Sequence, residues 1–255
     1  MFPGARPSPR DRPSPRDIAT APCDSRNDAG GSIAEIATIE TRITTHRVRP
    51  NNWGTHAGAT RVAIARYLGD TEDLAAAVEV FRGLLVDRES YHAFDYGDLS
   101  WQANRKAPVG INPAGATLEG HSVDGVLPDD QRRGGGFRWP PPRENYVYEA
   151  LQGVLLTAIL LDRAGYDDVW EWEGRAILRA FRWLVDEAKY PAEGDDTWQP
   201  FVVNHFYRVE LPTPTTASRP GKAFGFGDWL YRTTPERAEP RGPESEEPDR
   251  SDEPR

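Results

Sequence analysis

The sequence predicts a mainly α-helical domain built from antiparallel helical hairpins. Three observations carry this: apolar residues recur at three- and four-residue steps in four segments, cap residues stand at the ends of those segments, and alternating strand patterns are weak. Ser32 and Glu35 form a capping box ahead of Ile33, Ile36, Ile39 and Ile43, which predicts a helix to about Thr45. A second helix is expected from about Ala57 to Leu68, with Gly69 as its left-handed terminator and Asp70 or Thr71 as the next cap. A third, about Glu72 to Asp87, carries Leu74, Val78, Phe81 and Leu85 on one stripe, and the short turn makes it antiparallel to the second.

The same grammar returns after Pro140, Pro141 and Pro142. An apolar helix is expected from about Glu144 to Ala164, stopping at Gly165, and Asp168 with Glu171 opens another that carries Val169, Trp172, Ala176, Ala180, Phe181 and Leu184. Between the two hairpins, Tyr91 to Arg143 is rich in Gly, Pro, Asp and Asn. A connection that long is more often functional than idle. Only Phe201 to Val203 and Phe206 to Leu211 read as strands, and Asn204 to Tyr207 as a packed loop.

The ends have a different composition. Residues 1–32 hold the duplication Arg6-Pro7-Ser8-Pro9-Arg10-Asp11 and Arg12-Pro13-Ser14-Pro15-Arg16-Asp17, and are read as a disordered Pro/Arg-rich arm. Residues 233–255, with eight acidic residues against four Arg, are read as a disordered acidic tail, leaving 33–232 as the folded domain. The arm lacks the apolar stretch of a secretory signal. The chain as written therefore points to the cytoplasm, with a periplasmic or secreted location as the alternative if the true N-terminus is missing. No run approaches the roughly 20 apolar residues of a membrane helix, so no membrane partner is expected. A net charge of −9 argues against nucleic acid as a partner, and a single Cys removes disulfides and thiolate metal sites. The acidic residues Asp95, Asp98, Asp124, Asp129 and Asp130 match no EF-hand spacing. Neither a metal nor a cofactor is expected, and the oligomeric state is not readable.

Candidate site residues cluster just before the two hairpins, at Asn51-Asn52-Trp53-Gly54-Thr55-His56 and from His121 through Arg133 to Arg143-Glu144-Asn145-Tyr146-Val147-Tyr148. In a ring of hairpins such pre-helix segments converge on one end. Amides, arginines, a Trp and tyrosines facing one cleft suit a sugar that bears carboxylates: Trp stacks on the ring, Arg forks the carboxylate, Asn donates without adding charge. Each also has a structural reading. Asn51 and Asn52 suit a cap or turn, His56 a helix first turn, and Tyr148 starts an apolar stripe, whereas Tyr146 lies off it.

Asn51-Asn52-Trp53-Gly54 resembles the Asn-Asn-His-Gly segment of the alginate lyase family of polysaccharide lyases. Asp124-Gly125-Val126-Leu127-Pro128, then Arg133-Gly134, then Tyr146 ahead of Glu149-Ala150-Leu151, resembles that family's second conserved pattern. The resemblance covers about residues 33–230 and implies an (α/α) toroid, here incomplete at its N-terminal side, and β-elimination on alginate or a related polyuronate. It implies Asn52 and Arg133 as carboxylate neutralisers and Tyr146 as acid and base. Asn51, Trp53, Arg143, Tyr148 and His205 are the expected substrate-binding residues, and an acidic polysaccharide or oligosaccharide the partner. Trp53 stands where the family has His, so His56 or His121 is the expected source of an imidazole, or Tyr acts alone; Tyr148 is the rival of Tyr146. The alternatives are a non-catalytic carbohydrate-binding or degenerate lyase-like domain, and a purely structural helical domain.

Overall fold

The computed structural model describes residues 32–222 and 224–232, with side chains from Glu40 onward. The chain divides into two units, 1–39 and 40–255; of the first, only the helical backbone at 32–39 is described, and the core, the site and every side-chain contact belong to the second. The expected arm, up to residue 31, and the expected tail, 233–255, lie outside the described residues.

Eight α-helices lie among the described residues: α1 (Ser32–Val48), α2 (Asn52–Leu68), α3 (Thr71–Leu85), α4 (Pro128–Gln131), α5 (Asn145–Asp162), α6 (Trp172–Arg182), α7 (Gln199–Tyr207) and α8 (Gly227–Tyr231). The sole sheet among them is a two-stranded antiparallel ladder, β1 (Thr117–Leu118) with β2 (His121–Ser122). The domain is thus mainly α, as its periodicity predicts.

The helix boundaries follow their caps. Asn51 accepts from the Trp53 N–H, so α2 begins at Asn52, five residues earlier than its apolar pattern suggests. At its other end Gly69 takes φ 69°, ψ 22°, and Asp70 accepts from the Asp73 N–H to open α3. These two helices form one antiparallel hairpin; α5 and α6 belong to the second.

Helix α5 is the centre of the core. Nearly all its residues from Val147 to Leu161 are buried, which explains why it is apolar on every face. It runs parallel to α2: Gly153 lies against Thr55, the His56 ring reaches the Glu149 carbonyl, and Arg66 reaches the Arg163 carbonyl. A Cβ on Gly153 would sit 2.5 Å from the Thr55 carbonyl carbon, so the close approach of the two helices requires glycine there. Because the helices are parallel, their N-termini, carrying Asn52 and Tyr146, sit at the same end.

Three expectations change. The segment 199–207, read as a strand and a packed loop, is helix α7; a short apolar run bounded by Gln199-Pro200 has no period that separates a strand from a buried helix. The expected strand partner at Leu211 is instead bound by a side chain, since the Asn204 amide both accepts from the Leu211 N–H (2.7 Å) and donates to its carbonyl (3.0 Å). The helix expected to open at Asp168 is broken. A 3₁₀ turn at Val169–Glu171 leads to left-handed φ values of 51°, 63° and 60° at Glu173, Gly174 and Arg175, and a π turn at Trp183–Glu187 comes directly after α6. Arg179 donates to the Glu173 and Gly174 carbonyls, satisfying backbone groups that a regular helix would have paired.

The long segment between the hairpins is pinned to α6 near its middle. Arg179 binds Asp124 (2.5 Å) and the Asn112 carbonyl (3.0 Å), and Gly125, at φ +85°, rests against the α6 backbone. From there Pro128 begins α4, which delivers Asp129, Asp130, Arg132 and Arg133 to the N-terminus of α2.

Candidate functional site

The N-terminus of α2 is held by two adjacent aspartates. Asp129 accepts from the Asn51 amide (2.8 Å), the Gly97 N–H (3.0 Å) and Arg132 Nε (2.8 Å). Burial works to raise its pKa, but those donors outweigh it and hold the carboxyl below its ordinary value. Asp130 accepts from the Asn52 N–H at 3.1 Å. It is fully buried, with Oδ2 unpartnered, and burial, with the Asp129 charge adding, pushes its carboxyl well above the ordinary range. These two aspartates lock Asn51 and Asn52 into the first turn of α2.

Arg133 therefore emerges at a set point. It donates to Asn52 Oδ1 at 3.1 Å, and its guanidinium carbon lies 4.0 Å from the centre of the Tyr146 ring. An amide of α2, a guanidinium from the 3₁₀ turn Arg132–Gly134 and a phenol at the start of α5 thus form one cluster. A guanidinium only donates, so the Asn52 carbonyl must face it, and the Asn52 Nδ2 group has no partner among the described residues. Arg133 keeps further N–H groups without partners among the described residues, and the Tyr146 side chain is 43% exposed. The cluster is an outward-facing set of donors with a phenol beside it, which suits an anionic ligand.

Beside it a cavity of about 450 Å³ is lined by Thr45, Arg49, Asn51, Trp53, Arg132 and Arg133. Its size lies within the range of roughly 300–1,000 Å³ common for ligand sites. Three arginines and no carboxylate line it, and the Trp53 indole is 67% exposed.

The remaining predicted residues go elsewhere. His56 is one turn beyond Asn52 on α2, and its Nε2 lies 3.0 Å from the Glu149 carbonyl. A carbonyl only accepts, so the Nε2 position carries the proton. Burial lowers the basicity of this imidazole and favours the neutral ring, with Nδ1 free to accept. No hydrogen bond, ion pair or ring contact joins it to Asn52, Arg133 or Tyr146. His121, on β2, stacks flat on Trp139 with centroids 4.4 Å apart and an 8° interplanar angle, and is likewise unconnected to the cluster. Arg143 turns to the Lys189 carbonyl (3.2 Å), Glu193 (3.6 Å) and the Tyr190 ring. His205 packs on Phe206 and Tyr231 at the opposite end of the sequence.

Tyr148 is a correction. It is 1% exposed, with its hydroxyl donating to the Tyr190 carbonyl at 2.7 Å, and burial raises its phenol far above the usual range. A side chain so enclosed lines no cleft, so the substrate-binding role expected of it fails and Tyr146 is left without that rival.

Sequence reasoning missed Thr45, Arg49 and Arg132 as cavity residues and Asp129 and Asp130 as supports. The available signal was local: Asp129-Asp130, one residue ahead of Arg132-Arg133, is a pair of acidic residues beside the cation that one of them anchors. A Cβ on Gly54 would lie 1.7 Å from the Arg49 carbonyl oxygen, so the glycine of the Asn51-to-Gly54 motif is what lets the end of α1 fold against α2. No family model, no curated protein and no solved structure matches this chain.

Proposed function

We propose that the protein is a polysaccharide lyase that cleaves alginate or a related polyuronate by β-elimination, on an incomplete toroid of helical hairpins. The observation that carries this reading is the single cluster formed by Asn52, Arg133 and Tyr146, which stand 94 residues apart in sequence at their extremes. Those are the residues that the resemblance to alginate lyases assigns to the reaction.

The chemistry needs these three functions. The C5–H of a uronate is hard to ionise because the neighbouring carboxylate already carries a negative charge. Asn52 Nδ2 and the unpartnered N–H groups of Arg133 would bind that carboxylate and take up the charge that grows on it as C5 loses its proton. Tyr146 Oη, beside the same guanidinium, enters the step as the phenolate, takes the C5 proton and passes it to O4, so the phenolate is regenerated. The C5–H bond breaks, its electrons form the C4–C5 double bond, the C4–O4 bond breaks, and O4 leaves with a proton. No water is consumed, and the products are a 4,5-unsaturated uronate end and a new reducing end. Positioned proton transfer supplies about 10² to 10⁴ in rate, and charge neutralisation must supply much of the remainder.

His56, one turn further along α2, has its Nε2–H on the Glu149 carbonyl and no contact with the cluster, so Tyr146 is assigned both proton transfers. The test is incubation with polymannuronate, polyguluronate and polygalacturonate while following the absorbance of the unsaturated product. Turnover by the wild type, lost in Tyr146→Phe, supports the reading. Absence of new absorbance with all three polymers across pH 5 to 10 overturns it. Oligouronate binding without turnover would favour the alternative, a carbohydrate-binding domain, which the exposed Trp53 beside three arginines also fits.

A further inference from the structure

Residues 233–255 follow directly on α8 and on Arg232, the last described residue. Of the net charge of −9, −4 lies in that tail, which holds eight acidic side chains against four arginines, and −5 lies elsewhere. A segment of that charge is repelled by a chain that is acidic as a whole. The cavity at the N-terminus of α2 is the exception. Arg49, Arg132 and Arg133 line it, and among the described residues no carboxylate does. Arg132 uses Nε on Asp129 and leaves its terminal nitrogens without partners among these residues. The exposed Arg49 guanidinium makes no hydrogen bond or ion pair among them.

The acidic residues of the tail are unevenly spread. Residues 244–253 hold six of the eight, Glu244, Glu246, Glu247, Asp249, Asp252 and Glu253, with Arg250 as the one cation and Pro248 between Glu247 and Asp249. Grooves that bind proline-containing peptides do so with aromatic side chains, and Trp53 presents a 67% exposed indole at the rim of the arginine cavity. A proline flanked by carboxylates therefore matches a tryptophan flanked by guanidinium groups.

The distance is within reach. Arg163, just past the C-terminus of α5, meets the Tyr231 side chain, whereas the cavity lies at the other end of that helix, beside Arg133 and Tyr146. A helix of 18 residues is about 27 Å long, and the chain from Arg232 to Glu244 spans up to about 40 Å when extended. A tether of that length supplies an effective concentration on the order of 1 mM, so a contact too weak to hold two separate molecules is filled within one.

We propose that residues 244–253 dock in the cavity of their own chain, with carboxylates on Arg49 and Arg132 and Pro248 on Trp53, and compete there with acidic saccharide. The docking uses only the charge and shape of the cavity; the competition rests on the polyuronate reading. The tail is then a tethered competitor, displaced by polymers with many carboxylates and poorly by short oligouronates.

Disulfide trapping in the full chain tests the contact without any sugar. In a Cys23→Ser background, Ser245→Cys is paired either with Thr45→Cys in the cavity or with Tyr67→Cys. Tyr67 is 90% exposed at the C-terminal end of α2, the end nearer Arg232, so reach alone favours it. Oxidised glutathione should close the Thr45 pair at least tenfold faster than the Tyr67 pair. The preference should vanish with Arg49→Gln, and in 1 M salt, where the screening length falls to about 3 Å. Calorimetry reads the competition. On Tyr146→Phe, which does not consume ligand, changing the six carboxylates to amides should tighten mannuronate trisaccharide about tenfold with the thermal midpoint unchanged. That change corresponds to a cavity filled by the tail about nine-tenths of the time.

Equal closure of the two pairs overturns the docking and leaves the lyase reading standing. A disulfide that forms between molecules, faster at higher protein concentration, overturns docking within one chain in favour of a second copy. Unchanged trisaccharide affinity after the six substitutions overturns the competition. If the Thr45 pair closes selectively but the wild type forms no unsaturated product, the docked tail stands and the lyase reading falls.

Discussion

The Arg133 guanidinium lies 4.0 Å above the centre of the Tyr146 ring and simultaneously donates to the Asn52 carbonyl oxygen. One cation thereby joins the N-terminal turns of two parallel helices. The stack is worth about 0.5–2 kcal/mol and restricts the phenol as much as the guanidinium. Tyr146→Phe preserves the ring and removes only the hydroxyl. We expect a fall in kcat of about 10² to 10⁴ with the thermal midpoint unchanged.

Tyr148→Phe is the matched control. Its hydroxyl bonds the Tyr190 carbonyl inside the core, so its loss should cost about 1–2 kcal/mol in urea denaturation. Turnover per folded molecule should stay within a factor of two. A catalytic loss as large as that of Tyr146→Phe would reverse the assignment of the two tyrosines.

Gly153→Ala tests the helix contact that brings the cluster together. The added methyl would meet the Thr55 carbonyl carbon at 2.5 Å, backbone that cannot swing aside. Overpacking of this kind costs about 1–3 kcal/mol. Separation of α2 from α5 should also lower activity in the protein that remains folded, measured as kcat at a temperature well below the melting transition.

Asp130 separates hydrogen bonding from charge. Its Oδ1 accepts from the Asn52 N–H, while burial favours the neutral carboxyl. Asp130→Asn retains the acceptor and is expected to lie within about 1 kcal/mol of wild type. Asp130→Ala strands the N–H and should cost about 1–3 kcal/mol. Guanidinium unfolding of the two variants at pH 7 checks the order.

Two buried groups give opposite pH dependences. His46 is drawn down to about 3 by burial, with Arg61 adding and Asp73 opposing, from an ordinary 6.5. The unfolded chain binds its proton first, so this group removes stability as pH falls below about 6.5. Asp196 is raised to about 7 from 3.8, chiefly by burial, although Gln152 and Gln199 donate to its Oδ1. Here the folded chain keeps the proton, and stability is removed as pH rises from about 4 to about 7. Each slope is at most about 1.4 kcal/mol per pH unit. Relative to wild type, Asp196→Asn should therefore gain stability as pH rises through that window, and His46→Gln should gain as pH falls below 6.5. Denaturant midpoints measured from pH 4 to 8 give both differences; parallel curves for all three proteins would contradict them.

The parts written locally were legible. Gly69 and Asp70 delimit their helices through backbone conformation and hydrogen bonds within a few residues, and the apolar residues of 147–161 predicted a helix there, although not that it is buried on nearly every side. Tyr146 could be told from Tyr148 as lying off the apolar stripe, since positions two apart on a helix face different directions. Other features were invisible because their partners are remote. The short run at 201–203 lies in a helix, and the backbone of Leu211, the expected strand, is bound by the Asn204 amide instead of a neighbouring strand. Asp129 and Asp130 could be counted but not assigned, since their partners Asn51 and Asn52 lie 78 residues away.

Residue order alone therefore determined the mainly helical class, the turn at Gly69 and Asp70 between α2 and α3, the apolar run that becomes α5, and the set of amide, guanidinium and phenol groups available for binding. Only the tertiary structure decided which of them meet. The parallel contact of α2 with α5 at Gly153 brings two helix N-termini to one end, and the buried aspartates of α4 carry Arg133 between them. Long-range packing chooses among chemically equivalent side chains: Arg133 enters the cluster, Arg143 is drawn to the Lys189 carbonyl, and no periodicity in the chain distinguishes the two.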